Sequence, residues 1–179
     1  FKANQTVERI WRWTDGGTLP LVIDASSCGH GLIDFGEGVL SEENAARHAE
    51  LKIIDSVQWA EEFLLPGLEV TNKAESVTIH PTCSGRHLGL ERSLTRIADA
   101  LADRVEIPNV ATCCGFAGDR GLLHPELTAS ATAAEAAEVK SEPTAKYISS
   151  NRTCEVGLER ATGEPYGSFI YLLEEATRP

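Results

Sequence analysis

The sequence contains no methionine and begins at Phe1. A translated protein starts with Met, so the chain reads as an excised piece of a longer one. It also lacks any apolar run approaching the roughly 20 residues that a helix needs to span a bilayer. No positively charged, then apolar, secretory leader is present. Basic residues are scarce: 16 Lys and Arg stand against 27 Asp and Glu, a formal net charge of −11. With no Lys/Arg-rich run, that balance argues against nucleic acid and anionic lipid as partners. No G-x-G-x-x-G fingerprint and no Walker lysine occur, so a nucleotide site is not indicated. Cys-x-x-Cys is missing too, which weighs against a thiol–disulfide enzyme.

What is present is cysteine, at positions 28, 83, 113, 114 and 154. Five is an odd number, so a fully paired disulfide framework would leave one over. A chain of 179 residues also buries roughly 70% of its unfolded surface without covalent staples. The thiols therefore read as reserved for chemistry in a reducing compartment, the cytoplasm.

Hydrophobic spacing predicts strands that alternate with helices. Thr6–Trp13 has Val7, Ile10, Trp11 and Trp13 on a helical spacing, Leu19–Ala25 reads as a strand, and Trp11, Trp13 and Trp59 read as core or interface anchors. Ser41 is a helix N-cap, and the face Ile53, Ile54, Val57, Ala60, Phe63 and Leu64 extends that helix to Pro66-Gly67. Strand Val77–Ile79, helix 89–104, strand Asn109–Thr112 and an alanine-rich helix 125–139 follow. The chain closes with strand Lys146–Ser149, a short helix after Cys154 and a last helix, Gly167–Ala176. This alternation predicts an α/β fold: a mostly parallel sheet with helices on both faces and the cysteines at the carboxyl ends of strands. In such a sheet those ends line one crevice, so thiols remote in sequence meet.

An internal echo supports a modular reading. Ile23-Asp-Ala-Ser-Ser-Cys28-Gly-His-Gly-Leu32 parallels Ile148-Ser-Ser-Asn-Arg-Thr-Cys154-Glu-Val-Gly-Leu158; both run from a strand into Cys-x-x-Gly-Leu. Read as a duplication, residues 1–40 end one cysteine-rich module and residues 41–179 form a complete second one.

Soft thiolates select zinc, Cu(I) and iron–sulfur clusters. The adjacent pair Cys113-Cys114 favours the last, because neighbouring cysteines turn poorly toward one small ion but reach two irons of a larger cluster. Singly, Cys28, Cys83 and Cys154 read equally well as small buried hydrophobes, and Cys113-Cys114 as a buried pair or vicinal disulfide. The glycines of Gly115-Phe-Ala-Gly118-Asp-Arg-Gly121 either make a plain turn or aim N–H donors at sulfur. His80 and His30 are placed beside the thiols rather than among the ligands. Asp119-Arg120 reads as a local ion pair or a partner contact, and Ala129–Ala137 as a helix packing face.

The motifs His80-Pro-Thr-Cys83-Ser, Cys113-Cys114-Gly-Phe-Ala-Gly-Asp-Arg-Gly121 and Ser150-Asn-Arg-Thr-Cys154-Glu-Val-Gly-Leu158 resemble the cysteine-rich CCG domain. That domain occurs in heterodisulfide reductase, in the membrane-anchor subunit of anaerobic glycerol-3-phosphate dehydrogenase, and in lactate-utilisation iron–sulfur proteins. The wording is most similar to the carboxyl-terminal region of bacterial FAD-linked oxidases of the D-lactate dehydrogenase type. The resemblance implies an electron relay, inactive alone, that takes electrons from an upstream FAD domain oxidising a 2-hydroxy acid. It passes them to an acceptor protein or quinone, in the cytoplasm or at the membrane periphery. It further implies Cys83, Cys113, Cys114 and Cys154 as ligands of an iron–sulfur cluster of the 4Fe–4S type. One departure is plain: the heterodisulfide reductase pattern ends in Cys-x-x-Cys, whereas Gly157 stands here. A four-thiolate cubane, a site completed by Cys28, and a structural zinc that docks domains or subunits all stay open at this point.

Overall fold

In the computed structural model, which describes residues 2–179, segments of two to four residues rich in β-branched and aromatic side chains form short strands. Along the chain run α1 (Lys2–Trp13), β1 (Leu21–Ile23), α2 (Ser26–Ile33), α3 (Glu42–Glu50), β2 (Ile53–Asp55) and α4 (Ser56–Trp59). A wider helical turn (Ala60–Leu64) and a 3-10 turn (Leu65–Gly67) lead to β3 (Val77–Ile79), α5 (Cys83–His87), α6 (Glu91–Leu101) and β4 (Val105–Glu106). Then come α7 (Arg120–Leu123), α8 (Pro125–Ser141), β5 (Lys146–Ser149), α9 (Arg152–Thr162), β6 (Tyr166–Ser168) and α10 (Phe169–Thr177). β1 and β2 make a small parallel pair, while the main sheet has the order β4-β3-β5-β6, parallel throughout. Parallel neighbours require crossovers, and the helices supply them.

The α/β expectation is met, with helices on both faces of the main sheet. Val77, Ile79 and Ile148 pack under Leu94, Ile97, Ala98 and Leu101 of α6 and under Phe169, Leu172, Leu173 and Ala176 of α10. Tyr147 and Tyr166 point the other way, into a smaller cluster with Val139 of α8, Leu158 of α9, Phe116, Cys114 and Cys154. Alternation along β5 divides the two clusters: Tyr147 serves one face and Ile148 the other. Two of the five cysteines are thus part of a core. No described helix is long and apolar enough to cross a membrane.

Four expectations are corrected. The helix predicted through Ile53 and Ile54 stops at Glu50, and the two β-branched residues pair with Val22 and its neighbours as β2. The helix restarts at Ser56, where the Asp55 carboxylate caps the N–H of Val57 at 2.9 Å. Asn109–Thr112 is a loop, not a strand. Pro108 has no N–H to continue a ladder, and the Glu138 carboxylate takes the N–H groups of Asn109 (2.9 Å) and Val110 (3.3 Å). The last helix begins only at Phe169, since Tyr166–Ser168 pairs with β5 before Ser168 caps α10. Of the tryptophans expected as core or interface anchors, none enters the core: Trp13 is 71% exposed, and Trp11 and Trp59 are half-buried, Trp59 stacked on Phe63.

Candidate metal centre

After β3 the chain leaves for β4 on one side of the sheet, and after β4 it returns to β5 on the other. The carboxyl ends of β3 and β5 therefore flank a topological switch point, where open parallel sheets form their ligand crevice. Cys83 begins α5 just beyond β3, and Cys154 lies in the first turn of α9 just beyond β5. Cys113 and Cys114 enter from the long loop after β4. Thr82 sets the position of Cys83 by capping α5, its Oγ1 accepting the Gly85 N–H at 3.0 Å.

The Cys113-Cys114 loop lies directly on α8. Gly115 has φ +66°, and a Cβ there would stand 2.8 Å from Ala131 Cβ and 3.0 Å from the Leu127 carbonyl oxygen. Only glycine permits both that backbone turn and that approach. The same geometry points the Gly115 N–H at Cys113 Sγ, 3.4 Å away. Ala117 and Gly118 continue the loop with φ of +44° and +72°.

All five thiols are free; Cys114 and Cys154 are buried, whereas Cys28, Cys83 and Cys113 are exposed. The Cys114 and Cys154 sulfurs are 2.9 Å apart and share one hydrogen bond. That bond lowers Cys114 to about 6, against the opposing effect of burial and with help from the Phe116 N–H and the nearby His80. Cys154 is pushed far up by the same bond, then by burial and by the charges of Cys114, Cys83 and Cys113. Cys83 is raised by desolvation and by Cys113, with the Ser84 N–H opposing. The four thiols thus act on one another electrostatically, and near neutral pH the buried pair holds one thiolate and one thiol.

Beneath the pair lies a buried polar layer. His80 is fully buried and its Nδ1 lies 2.7 Å from Oε1 of Glu135, itself only 2% exposed. Nε2 of His80, the Tyr166 hydroxyl and Thr128 Oγ1 are buried without a partner among the described residues. The sequence reading found His80 but not Glu135. Its signal was available: Thr128, Thr132, Glu135 and Val139 fall on one helical face, so the carboxylate sits in the packing stripe of α8.

Residues 77–159 match the model of the cysteine-rich domain family called CCG. The chain is also similar to the glycolate oxidase iron-sulfur subunit of Escherichia coli (strain K12), 22% identical over 183 aligned positions. That alignment takes in 98% of this chain but 44% of the relative, so the chain spans less than half the length of the protein it matches.

Within the matched segment, Gly157 is a packing position. A Cβ there would lie 3.2 Å from Thr128 Cγ2 and 3.4 Å from the Phe116 ring. The absent second cysteine of Cys-x-x-Cys is thus replaced by close contact between α9 and α8. Cys28 lies outside the matched segment, exposed on α2, which packs against α5. His30 stands beside His87, ring centroids 5.8 Å apart. The Ser27 hydroxyl accepts from Asn151 Nδ2 at 3.2 Å, which ties the Cys28 turn to the Cys154 turn. Asp119 and Arg120 form no ion pair among the described residues.

The donor set fits an iron–sulfur cluster in its chemistry: thiols from three segments, one of them already acidic, with backbone N–H groups aimed at sulfur. Among the described residues no three His, Cys, Asp or Glu side chains close on one ion-sized centre. The 2.9 Å sulfur contact must open for both buried cysteines to bind metal.

Proposed function

We propose that this chain is the iron–sulfur electron-transfer region of an FAD-linked oxidase that acts on a 2-hydroxy acid of the D-lactate class. The single observation that carries the reading is the convergence of Cys83, Cys113, Cys114 and Cys154 at the switch point of a parallel sheet, as a mutually interacting set. Those four thiolates would hold a 4Fe–4S cluster. When bound, such a cluster supplies one-electron carriage between flavin and acceptor. The residues of the chain contribute binding and tuning. The buried pair offers a thiolate near neutral pH, the Gly115 N–H donates toward Cys113, and His80 borders Cys114 from below.

The match to an iron-sulfur subunit supports a flavin carried on another unit, whether an upstream domain or a separate polypeptide. The onward acceptor is a protein or a quinone, and the assembly is cytoplasmic, at the membrane surface where the acceptor is a quinone. Residues 1–40, with Cys28, belong on this reading to a preceding cysteine-rich module, and residues 41–179 form the complete one.

The test is stopped-flow mixing of the anaerobically reconstituted protein with its flavin unit and, in turn, D-lactate and glycolate. Bleaching of the visible iron–sulfur absorption after flavin reduction supports the relay, and the faster substrate names its class. Flavin reduction without bleaching contradicts it. One bound zinc and no colour would indicate a structural docking module instead.

A further inference from the structure

On a chain of net charge −11, one groove is walled by arginine. It has a volume of about 780 Å³ and lies along the first turns of α6, lined by Arg86, Arg92 and Arg96 together with Glu91, Thr95 and Ile107. Arg86 is shared between Glu91, 3.3 Å away, and the Ala111 carbonyl, to which it donates at 2.9 Å. Arg96 pairs with Glu61 at its outer end. Arg92 is exposed and has no carboxylate partner among the described residues. The groove adjoins the thiols through the chain itself. Arg86 and Cys83 share α5, and the carbonyl that Arg86 holds lies just ahead of Cys113.

We propose that this groove docks an acidic segment of a partner protein. Its volume far exceeds what one carboxylate or phosphate group fills. Arg92 is free to take a carboxylate, Arg86 and Arg96 flank it with guanidinium groups that can be shared between their own glutamates and a partner's, and guanidinium binds carboxylate in a bidentate fork. On a chain whose net charge is −11, local attraction at this groove orients the encounter as well as speeding it. That orientation brings the partner to the exposed Cys83 and Cys113. The role of the docking rests on the electron-transfer reading above; the binding itself does not.

The test is fluorescence anisotropy of a labelled oligoglutamate peptide at low ionic strength, with the full chain. Wild type binds, and Arg92→Glu/Arg96→Glu weakens binding at least tenfold. Arg9→Glu/Arg12→Glu, the same charge change on the exposed face of α1, leaves binding within twofold. Arg92→Glu alone, which breaks no ion pair, weakens it in the same direction. Absence of wild-type binding overturns the proposal, as does equal weakening by the α1 variant. Displacement by citrate at matched ionic strength and matched carboxylate overturns it in favour of a small-anion pocket. Iron and sulfide are assayed on the same samples. Loss of peptide binding with clusters retained is the expected result for the groove variants, whereas a wild type that binds peptide but no iron defeats the electron-transfer reading and leaves the docking site standing.

Discussion

The imidazole of His80, at the end of β3, faces the carboxylate of Glu135, in the middle of α8, across 2.7 Å with both side chains closed to solvent. The pair joins the strand that leads to Cys83 to the helix that carries the Cys113-Cys114 loop. Deleting one partner of a buried pair strands the other. Glu135→Ala is therefore expected to cost about 1–3 kcal/mol, and Glu135→Gln, which still offers an acceptor, clearly less. Urea unfolding of the metal-free protein measures both. An alanine variant as stable as wild type would contradict the role given to this pair.

Titration of the metal-free thiols tests the sharing of one proton between Cys114 and Cys154. Ultraviolet thiolate absorbance should show one group ionising near the value of about 6 held by Cys114. Cys154→Ala removes the largest cause and should move that midpoint back toward the ordinary 9.0. A midpoint unmoved by that change would refute the assignment.

The same pair sets a pH dependence of stability. Between about 6 and 9.0 the folded state holds a Cys114 thiolate while the unfolded state keeps its proton, so stability rises with pH. It is lost again as pH falls through the folded value. Above 9.0 the raised Cys154 keeps its proton only when folded, so its contribution falls with rising pH. Cys114→Ser/Cys154→Ser should flatten both limbs of the stability profile measured across this range.

At Gly157 the close approach to Thr128 predicts that Gly157→Ala costs about 1–3 kcal/mol by overpacking. Thr128→Ser deletes the methyl that the new Cβ meets, so the double variant should recover part of the loss. Strict additivity in the four-variant unfolding cycle would show that the contact is not the cause.

How much of this was legible in the sequence follows from which forces are local. The strands Val77–Ile79 and Lys146–Ser149, and the stripe of α6, carry their own periodicity and end where expected. The thiols at strand ends were readable because strand-to-helix turns recur in α/β chains. β2 and β6 did not declare themselves because Asp55 and Gly167 break their apolar pattern; their partners in the sheet decide them. Glu135 was hidden because a carboxylate within an alanine-rich helix looks solvated until the partner, 55 positions away in sequence, is seen. Trp13 misled as a core candidate for the converse reason, since bulk and apolarity do not say which side of a helix is covered.

The central claim is that Cys83, Cys113, Cys114 and Cys154 hold one cluster as a set. The measurement that tests it most directly is iron and acid-labile sulfide per chain after anaerobic reconstitution, in wild type and in each single Cys→Ser variant. The account predicts several irons with matching sulfide in wild type and in Cys28→Ser, and loss of cluster in each of the other four. Retention of full iron by Cys114→Ser or Cys154→Ser, or loss in Cys28→Ser alone, would contradict it.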